Sequence, residues 1–190
     1  MTRRLKSNAF ALGVCYYPEH WDEALWADDF RRMKEMGFGI IRVAEFAWSI
    51  FEPGEGRYDF SLFDRALDLA HEHGLKVILG TPTATPPAWL TSRYPEILNA
   101  TQDGLPYHHG MRRHYTYNSP VYRDYCARIV RAMATHYRDH PAVVGWQIDN
   151  ELNCELDVFY AEADHRAFRA WLREKYGTLE ELNRAWGTVV

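Results

Sequence analysis

The chain has 190 residues, of which 47% are hydrophobic and 25% are charged, so it can bury a substantial apolar core and fold as a globular protein. Its net charge of -4 argues against the strongly positive surface that nucleic-acid binding requires. The three cysteines are odd in number and widely spaced, which argues against a disulfide framework and against C-x-x-C zinc binding.

The N-terminal segment favours a cytoplasmic protein. Residues 1–8, MTRRLKSN, are basic, but the apolar run over 9–17 contains no A-x-A-like cleavage site and leads directly into Pro18. No stretch approaches the roughly 18 consecutive apolar residues that a membrane-spanning helix requires. We therefore predict a cytoplasmic chain that has neither a membrane nor nucleic acid as its partner.

The first half of the chain alternates between strand and helix patterns. A short apolar strand over 11–17 is followed by a helix over 21–37, in which apolar residues recur at helical spacing. The same order returns with a strand over 39–48 and an amphipathic helix over 60–74. Both helices end at a glycine, which suits a helix C-cap.

The second half continues the alternation around one long loop. A third strand over 76–84 leads into an aromatic and polar loop over 85–118, and a helix over 119–140 then begins with a Ser-Pro pair that suits its first turn. A fourth strand over 142–150 precedes the last two predicted helices, which cover 159–177 and 178–187. The final helix opens with a Thr-x-x-Glu capping box.

This order of elements predicts an α/β fold with a parallel sheet and crossover helices. No G-x-G-x-x-G or G-K-[ST] sequence follows a strand, which disfavours a nucleotide-binding doubly wound sheet. A (β/α)8 TIM barrel typically needs about 250 residues, so residues 1–190 would supply about four βα units, the N-terminal half of the barrel. We expect a fragment of a longer enzyme, because an isolated half-barrel leaves two strand edges open.

Polar residues collect where the predicted strands end, and in a barrel those ends build the active site. Arg42, Glu45 and Trp48 belong to the second strand, and Asn150 and Glu151 end the fourth. Carboxyl groups with aromatic neighbours suit glycoside hydrolysis, in which one carboxyl protonates the leaving oxygen and another attacks the sugar or activates water. Glu151 is the candidate proton donor, and Asn150 could bond a sugar hydroxyl.

Five sequence motifs extend this expectation from about residue 12 to the end of the chain. They are LGVCYYPEHW, the run from FAWS to YDF, TPTATPPAWL, RRHYTYNSP and WQIDNE. Together they resemble glycoside hydrolase family 42, the β-galactosidases of a retaining barrel clan. The resemblance implies that the whole enzyme hydrolyses terminal non-reducing β-D-galactosides by double displacement, that it needs no cofactor, and that it forms homotrimers.

The resemblance also implies roles for individual residues. Glu151 would be the general acid/base and Asn150 its substrate-orienting neighbour, while Arg112 would bind the galactosyl unit, with the adjacent Arg113 as the alternative. Arg42 would lie beneath the nucleophile and hold it ionised. That nucleophile is a glutamate of a later strand, and no residue of this sequence matches its motif. We therefore expect the chain alone not to turn over substrate.

Several alternatives stay open. Glu45 either contacts a ligand or pairs with Arg42, and Trp48 either lines a sugar platform or packs under a loop. Many family members bind a structural zinc through a cysteine cluster, but Thr116 takes the place of its first cysteine and Cys154 stands alone, so we expect no such metal site. A truncated barrel could also be an inactive sugar-binding or scaffold protein, and a clan relative could act on arabinopyranosides or fucosides.

Overall fold

The computed structural model describes residues 10–110, 112–152, 154 and 156–189. The chain divides into two compact units. We call them the sheet unit, formed by Met1–Leu90 and Cys126–Leu152, and the loop unit, formed by Thr91–Tyr125 and Asn153–Val190.

Four parallel strands form the sheet, and they are paired in chain order: β1 (Gly13–Cys15), β2 (Ile40–Val43), β3 (Lys76–Gly80) and β4 (Val143–Gln147). One face carries four residues in register, namely Cys15, Arg42, Ile78 and Gly145. The opposite face of the two central strands is fully buried at Ile41, Val43, Val77 and Leu79. This arrangement confirms the prediction of the N-terminal half of a (β/α)8 barrel.

The described residues contain seven α-helices: α1 (Glu23–Glu35), α2 (Trp48–Phe51), α3 (Ser61–Glu72), α4 (Ala88–Arg93), α5 (Pro120–Tyr137), α6 (Glu162–Tyr176) and α7 (Leu179–Trp186). Short 3-10 turns lie at Pro18–His20, Pro82–Ala84 and Pro95–Ile97. Within the part of the chain that the structure describes, no helix is long and apolar enough to cross a membrane.

The predicted start and stop signals of the helices are confirmed by their hydrogen bonds. Ser119 Oγ accepts the backbone N–H three residues later at 3.3 Å, at the start of α5. Thr178 Oγ1 accepts the corresponding N–H of α7 at 3.2 Å. Gly37 and Gly74 follow α1 and α3 with φ angles of 88° and 71°, the left-handed conformation that favours glycine.

The core of the sheet unit is built by apolar faces of the helices. Trp26 and Phe30 of α1 are buried, as are Phe63 and Leu67 of α3. The ring of Phe51, at the end of α2, stacks on Phe63 with 4.4 Å between centroids. Each fully buried side chain of this size stabilises the fold by about 1.5–3 kcal/mol, so these helices hold the sheet and its strand ends in place.

The strands are shorter than the predicted segments. The prediction that the fourth strand continues to residue 150 is wrong, because β4 ends at Gln147 and Ile148 is 75% exposed. Asp149 has a φ of 56°, which is incompatible with an extended strand. The second strand ends early for the same reason, since Ala44 has a φ of 81°.

Candidate functional site

An unbroken series of hydrogen-bonded side chains joins the C-terminal ends of β1, β2 and β4 in the sheet unit. It begins at Tyr17, whose hydroxyl donates to Glu45 Oε1 at 2.9 Å. The same oxygen accepts from Arg42 Nε at 3.0 Å and lies 2.8 Å from Arg42 Nη2. One carboxylate oxygen therefore receives donors from the segment that follows β1 and from β2.

The series of hydrogen bonds continues across the sheet to the end of β4. Arg42 Nη1 donates to Gln147 Oε1 at 2.7 Å, and Gln147 Nε2 donates to Asn150 Oδ1 at 3.0 Å. Asn150 Nδ2 then donates to Glu151 Oε2 at 3.1 Å. We call these six side chains the strand-end network: Tyr17, Arg42, Glu45, Gln147, Asn150 and Glu151.

Glu45 is a fully buried carboxylate held by a positive charge. Its side chain is 0% exposed, and burial of an ionised group is unfavourable unless a partner compensates it. Arg42 and Tyr17 supply that compensation at Oε1. Oε2 is buried with no hydrogen-bond partner among the described residues. Glu45 thus pairs with Arg42, which is one of the two uses that the sequence allows, and contact with a ligand stays a prediction.

Two further groups at the end of β1 have altered acidity. Burial raises the pKa of Tyr17 to about 12, and its hydrogen bond to Glu45 contributes in the same direction, so the hydroxyl stays a donor at neutral pH. Burial also raises the pKa of Glu19, and the charge of Glu45 adds to this effect. Both carboxyl oxygens of Glu19 are buried without a hydrogen-bond partner within the described residues. Burial at this end of the sheet therefore favours the protonated forms of Tyr17 and Glu19.

Backbone strain concentrates beside the candidate residues. Among the described residues, four that are not glycine have positive φ angles: Ala44, Arg113, Asp149 and Glu151. Each of these conformations costs on the order of 1–3 kcal/mol, and such costs cluster at functional sites. The four residues lie next to, or are themselves, candidates that the sequence identifies.

Side chains from the segment that follows β3 hold the turn that follows β4. The Asp149 N–H donates to Thr81 Oγ1 at 2.7 Å, and Thr83 Oγ1 donates to Asp149 Oδ2 at 2.7 Å. Asp149 Oδ1 accepts the N–H of Asn150 at 2.6 Å. Asp149 and Asn150 are both buried, so these hydrogen bonds hold the turn in place. Glu151, the next residue, is exposed.

Trp48 lies beneath the loop that follows β2. Its side chain is 0% exposed, and its Nε1 donates to Glu52 Oε2 at 2.9 Å. Glu52 is itself buried and accepts the N–H of Gly56 at 2.8 Å. The indole therefore packs and supports this loop, and it offers no exposed face to a ligand in the present chain.

Arg112 belongs to the loop unit, whereas the other five predicted site residues belong to the sheet unit. Its side chain is partly exposed, but its neighbour Arg113 is only 2% exposed and donates to the Tyr117 hydroxyl. The neighbouring arginines thus differ in environment, since Arg113 is part of the interior of its unit. Binding of a galactosyl unit by Arg112 stays a prediction.

Gln147 is the member of the strand-end network that sequence reasoning missed. The residues WQI suggest an ordinary packed strand, yet Gln147 connects Arg42 to Asn150. Its signal in the sequence is a polar side chain flanked by apolar neighbours in a short strand that runs into Asn150.

The residues around Thr116 do not fit a thiolate zinc site. Thr116 Oγ1 donates to Asp164 Oδ1 at 2.5 Å, and Asn118 Nδ2 donates to the same oxygen at 2.8 Å. Asp164 Oδ2 accepts the N–H of Ala161 at 3.0 Å. No group of three or more His, Cys, Asp or Glu side chains is arranged to hold a metal ion, within the residues that the structure describes. Hydrogen bonds to Asp164 connect these segments instead.

Comparisons with known proteins agree on one family. A family model described as beta-galactosidase matches residues 15–190. Beta-galactosidase BgaA of Thermus sp is 51% identical over 178 residues, which are 93% of this chain and 28% of that protein. A beta-galactosidase of Arthrobacter sp is 49% identical over 176 residues, 93% of this chain and 25% of its own length. The chain thus spans only about 28% of the curated relatives it matches.

Solved structures show the same relationship. The crystal structure of beta-galactosidase from the psychrophilic Marinomonas ef1 matches 94% of this chain and 27% of its own, with a TM-score of 0.90 and 52% sequence identity. The polyextremophilic beta-galactosidase of the Antarctic haloarchaeon Halorubrum lacusprofundi matches 94% of this chain and 27% of its own, with a TM-score of 0.90 and 45% identity. The catalytic domain of a Paenibacillus polymyxa beta-amylase shares the fold alone, at 16% identity and a TM-score of 0.68.

Proposed function

This chain belongs to glycoside hydrolase family 42, and from that premise we propose that the full-length protein is a retaining β-galactosidase that hydrolyses terminal non-reducing β-D-galactosides. The observation that carries the proposal is the strand-end network, which connects Arg42 and Glu45 to the Asn150–Glu151 pair after β4. Because the C-terminal strand ends of (β/α)8 barrels form their active sites, these are the expected positions for catalytic groups.

Glu151 acts in both steps of the proposed double displacement. In the first step it donates its proton to the glycosidic oxygen while a carboxylate nucleophile, supplied by a later part of the full-length chain, attacks the anomeric carbon. The bond to the leaving group breaks and a covalent galactosyl-enzyme forms. In the second step the ionised Glu151 takes a proton from water, whose oxygen attacks the same carbon and releases galactose with its configuration retained.

The other candidate residues bind and position. Asn150 donates a hydrogen bond to a sugar hydroxyl, and Arg112 binds the galactosyl unit. Arg42 carries a positive charge and pairs with Glu45, and at this place it would favour an ionised carboxylate nucleophile. The 190 residues include the proposed acid/base, whereas no residue among them matches the motif of the nucleophile, so we propose that this chain does not turn over substrate by itself.

Substitution of Glu151 tests the proposal directly. In the full-length enzyme we expect Glu151→Gln to slow lactose hydrolysis by about 10²–10⁴-fold, the usual contribution of a general acid/base group. Formation of the galactosyl-enzyme from a dinitrophenyl galactoside should stay fast, because that leaving group needs no proton. Azide should then restore turnover by attacking the intermediate without base assistance, and β-galactosyl azide would be the product.

Glu35→Gln is the matched control, because Glu35 lies exposed at the end of α1 and pairs with Arg31. Its loss should leave lactose hydrolysis unchanged, since exposed ion pairs contribute little. A lactose rate for Glu151→Gln equal to that of the wild type would remove Glu151 from the acid/base role.

Specificity within the clan is measured by comparing substrates. We propose that the galactoside is preferred, and the competing substrates are the matching arabinopyranoside and fucoside. The ratio of kcat/KM values for the three nitrophenyl glycosides decides between them.

The cytoplasmic location and the homotrimeric state of the full-length enzyme stay predictions, which fractionation and light scattering would test.

A further inference from the structure

Arg42 sets the direction of the hydrogen bonds in the strand-end network. A guanidinium group has N–H donors and no acceptor, so the atom of Gln147 that meets Arg42 Nη1 at 2.7 Å is the amide oxygen. The amide nitrogen of Gln147 therefore points away from Arg42. It donates to the carbonyl oxygen of Asp149 at 2.9 Å and to Asn150 Oδ1 at 3.0 Å.

The reverse orientation of the Gln147 amide is unfavourable at every contact. It would bring the amide nitrogen against the donor of Arg42 and the amide oxygen against the carbonyl oxygen of Asp149. Paired donors or paired acceptors at about 3 Å repel, and a hydrogen-bonding group left without its partner in a poorly hydrated site costs free energy. Since Gln147 is partly buried, its neighbours fix this orientation.

Asn150 has the same constraint one step further along the network. Its Oδ1 is the acceptor for Gln147 Nε2, so its Nδ2 is the atom that faces Glu151 Oε2 at 3.1 Å. A reversed amide would set two donors against each other at Gln147 and an oxygen against the Glu151 carboxylate. Asn150 is only 7% exposed, so water cannot replace these partners freely.

We propose that Gln147 is a positioning residue, which transmits the fixed donor character of Arg42 to Asn150 and thereby keeps the amide nitrogen of Asn150 directed at Glu151. We call Arg42, Gln147 and Asn150 the amide relay. It goes beyond the roles given to Arg42 and Asn150 separately, because it couples them through Gln147, a strand residue that bonds to both. The inference rests on the proposed function of Glu151 as the acid/base group.

The relay has a chemical consequence at Glu151. A donated hydrogen bond favours the ionised carboxylate, which is the form that accepts a proton in the second step. It also restricts the rotation of the Glu151 side chain, which is otherwise exposed. Loss of the relay should therefore change the pH dependence of the reaction as well as its rate, and a purely structural role would not change the pH dependence.

The test uses Gln147→Glu in the full-length enzyme. A glutamate at this position can still accept from Arg42, but its ionised carboxylate cannot donate to Asn150 Oδ1, so the Asn150 amide loses its fixed orientation. We expect kcat/KM for lactose, whose leaving group needs a proton, to fall by about 10- to 100-fold, the effect of one or two lost hydrogen bonds. The alkaline limb of the pH profile should move to higher pH, because ionised Glu151 has lost a donor.

Gln147→Met provides a second variant that adds no charge. Methionine has a similar length and no amide, so it should reduce kcat/KM and move the alkaline limb in the same direction. Gln102→Glu is the matched control, since Gln102 is the other glutamine of the chain and lies exposed in the loop unit. The control should keep the activity and pH profile of the wild type. Circular dichroism and thermal unfolding establish the folded fraction of each variant.

The outcomes separate this inference from the proposed function. Folded Gln147 variants with the kcat/KM and pH profile of the wild type would overturn the relay. So would a loss of activity that only follows the folded fraction, with an unchanged pH profile. A wild-type enzyme without β-galactosidase activity, or one whose lactose rate survives Glu151→Gln, would instead contradict the proposed function itself.

Discussion

At the scale of single residues, the position of Glu45 depends on the absence of a side chain at Gly80. A Cβ atom on Gly80 would lie 2.5 Å from Glu45 Cβ, 2.7 Å from its Cα and 2.8 Å from its N. Real Cβ atoms do not approach backbone atoms this closely, and Ala44 already holds a φ of 81° beside the contact. Glycine in β3 is therefore a requirement of the strand-end network.

We expect Gly80→Ala to lower the free energy of unfolding by about 1–3 kcal/mol, because the backbone at Glu45 must shift to relieve the overlap. Urea unfolding of the full-length enzyme measures this change. The shift should also lower kcat/KM, since Arg42 and Tyr17 bond to the displaced carboxylate. Gly145→Ala in β4 is the control: the nearest atom to its Cβ is Ile78 Cγ1 at 3.9 Å, so the expected change is below about 0.5 kcal/mol. Equal effects would refute the contact argument.

Much of the candidate site can be predicted from the sequence, because residues with reactive or hydrogen-bonding side chains stand at the predicted strand ends. Asn150 and Glu151 end a strand pattern, and Arg42 and Glu45 lie near the end of another, so their residue types already suggest a carboxylate site. Gln147 could not be assigned in this way, since its partners depend on register between β2 and β4, which are separated by about 100 residues of sequence. The roles of these residues in catalysis remain predictions.

At the scale of elements, the sequence predicts helices more closely than strands. Helical periodicity and capping residues locate α1, α3 and α5 to within a few residues. Strand ends are less predictable. Ala44 and Asp149, which follow β2 and β4, adopt left-handed conformations that cannot be predicted from the residue type alone. Tertiary hydrogen bonds from Thr81 and Thr83 stabilise the turn at Asp149.

The loop unit has its own connection between elements, centred on Asp164 near the start of α6. This buried carboxylate accepts hydrogen bonds from Thr116 and Asn118 through one oxygen and from the N–H of Ala161 through the other. It therefore caps α6 and holds the segment that follows Arg112 and Arg113. Three donors lose their acceptor if this side chain is removed.

We expect Asp164→Ala to destabilise the loop unit by about 3 kcal/mol, because two donors in this poorly hydrated site lose their partner and α6 loses its cap. Hydrogen exchange should become faster both at the start of α6 and over residues 113–118. Asp157→Ala is the control, since Asp157 lies exposed in the same unit and its replacement should change stability by less than about 0.5 kcal/mol. If hydrogen exchange became faster only at the start of α6, Asp164 would act as a helix cap and would not hold residues 113–118.

At the scale of the whole molecule, the sheet has two ends that are not closed by a further strand. Within the described residues, β1 pairs only with β2, and β4 pairs only with β3. All three residues of β1 are exposed, and every residue of β4 is partly exposed. Unpaired strand edges with apolar side chains are templates for association with other chains, and complete barrels have no such edges.

We therefore expect the purified 190-residue chain to self-associate as its concentration rises, whereas the full-length enzyme keeps one defined assembly. Light scattering over a concentration series measures this difference. Val14→Lys should weaken the association, because a charged side chain on edge strand β1 opposes pairing with another edge. Val158→Lys is the matched control, since Val158 has 44% exposure against 37% for Val14 but lies outside the sheet. A chain that stays monomeric at all concentrations, or equal effects of both lysines, would show that the open strand edges do not drive association.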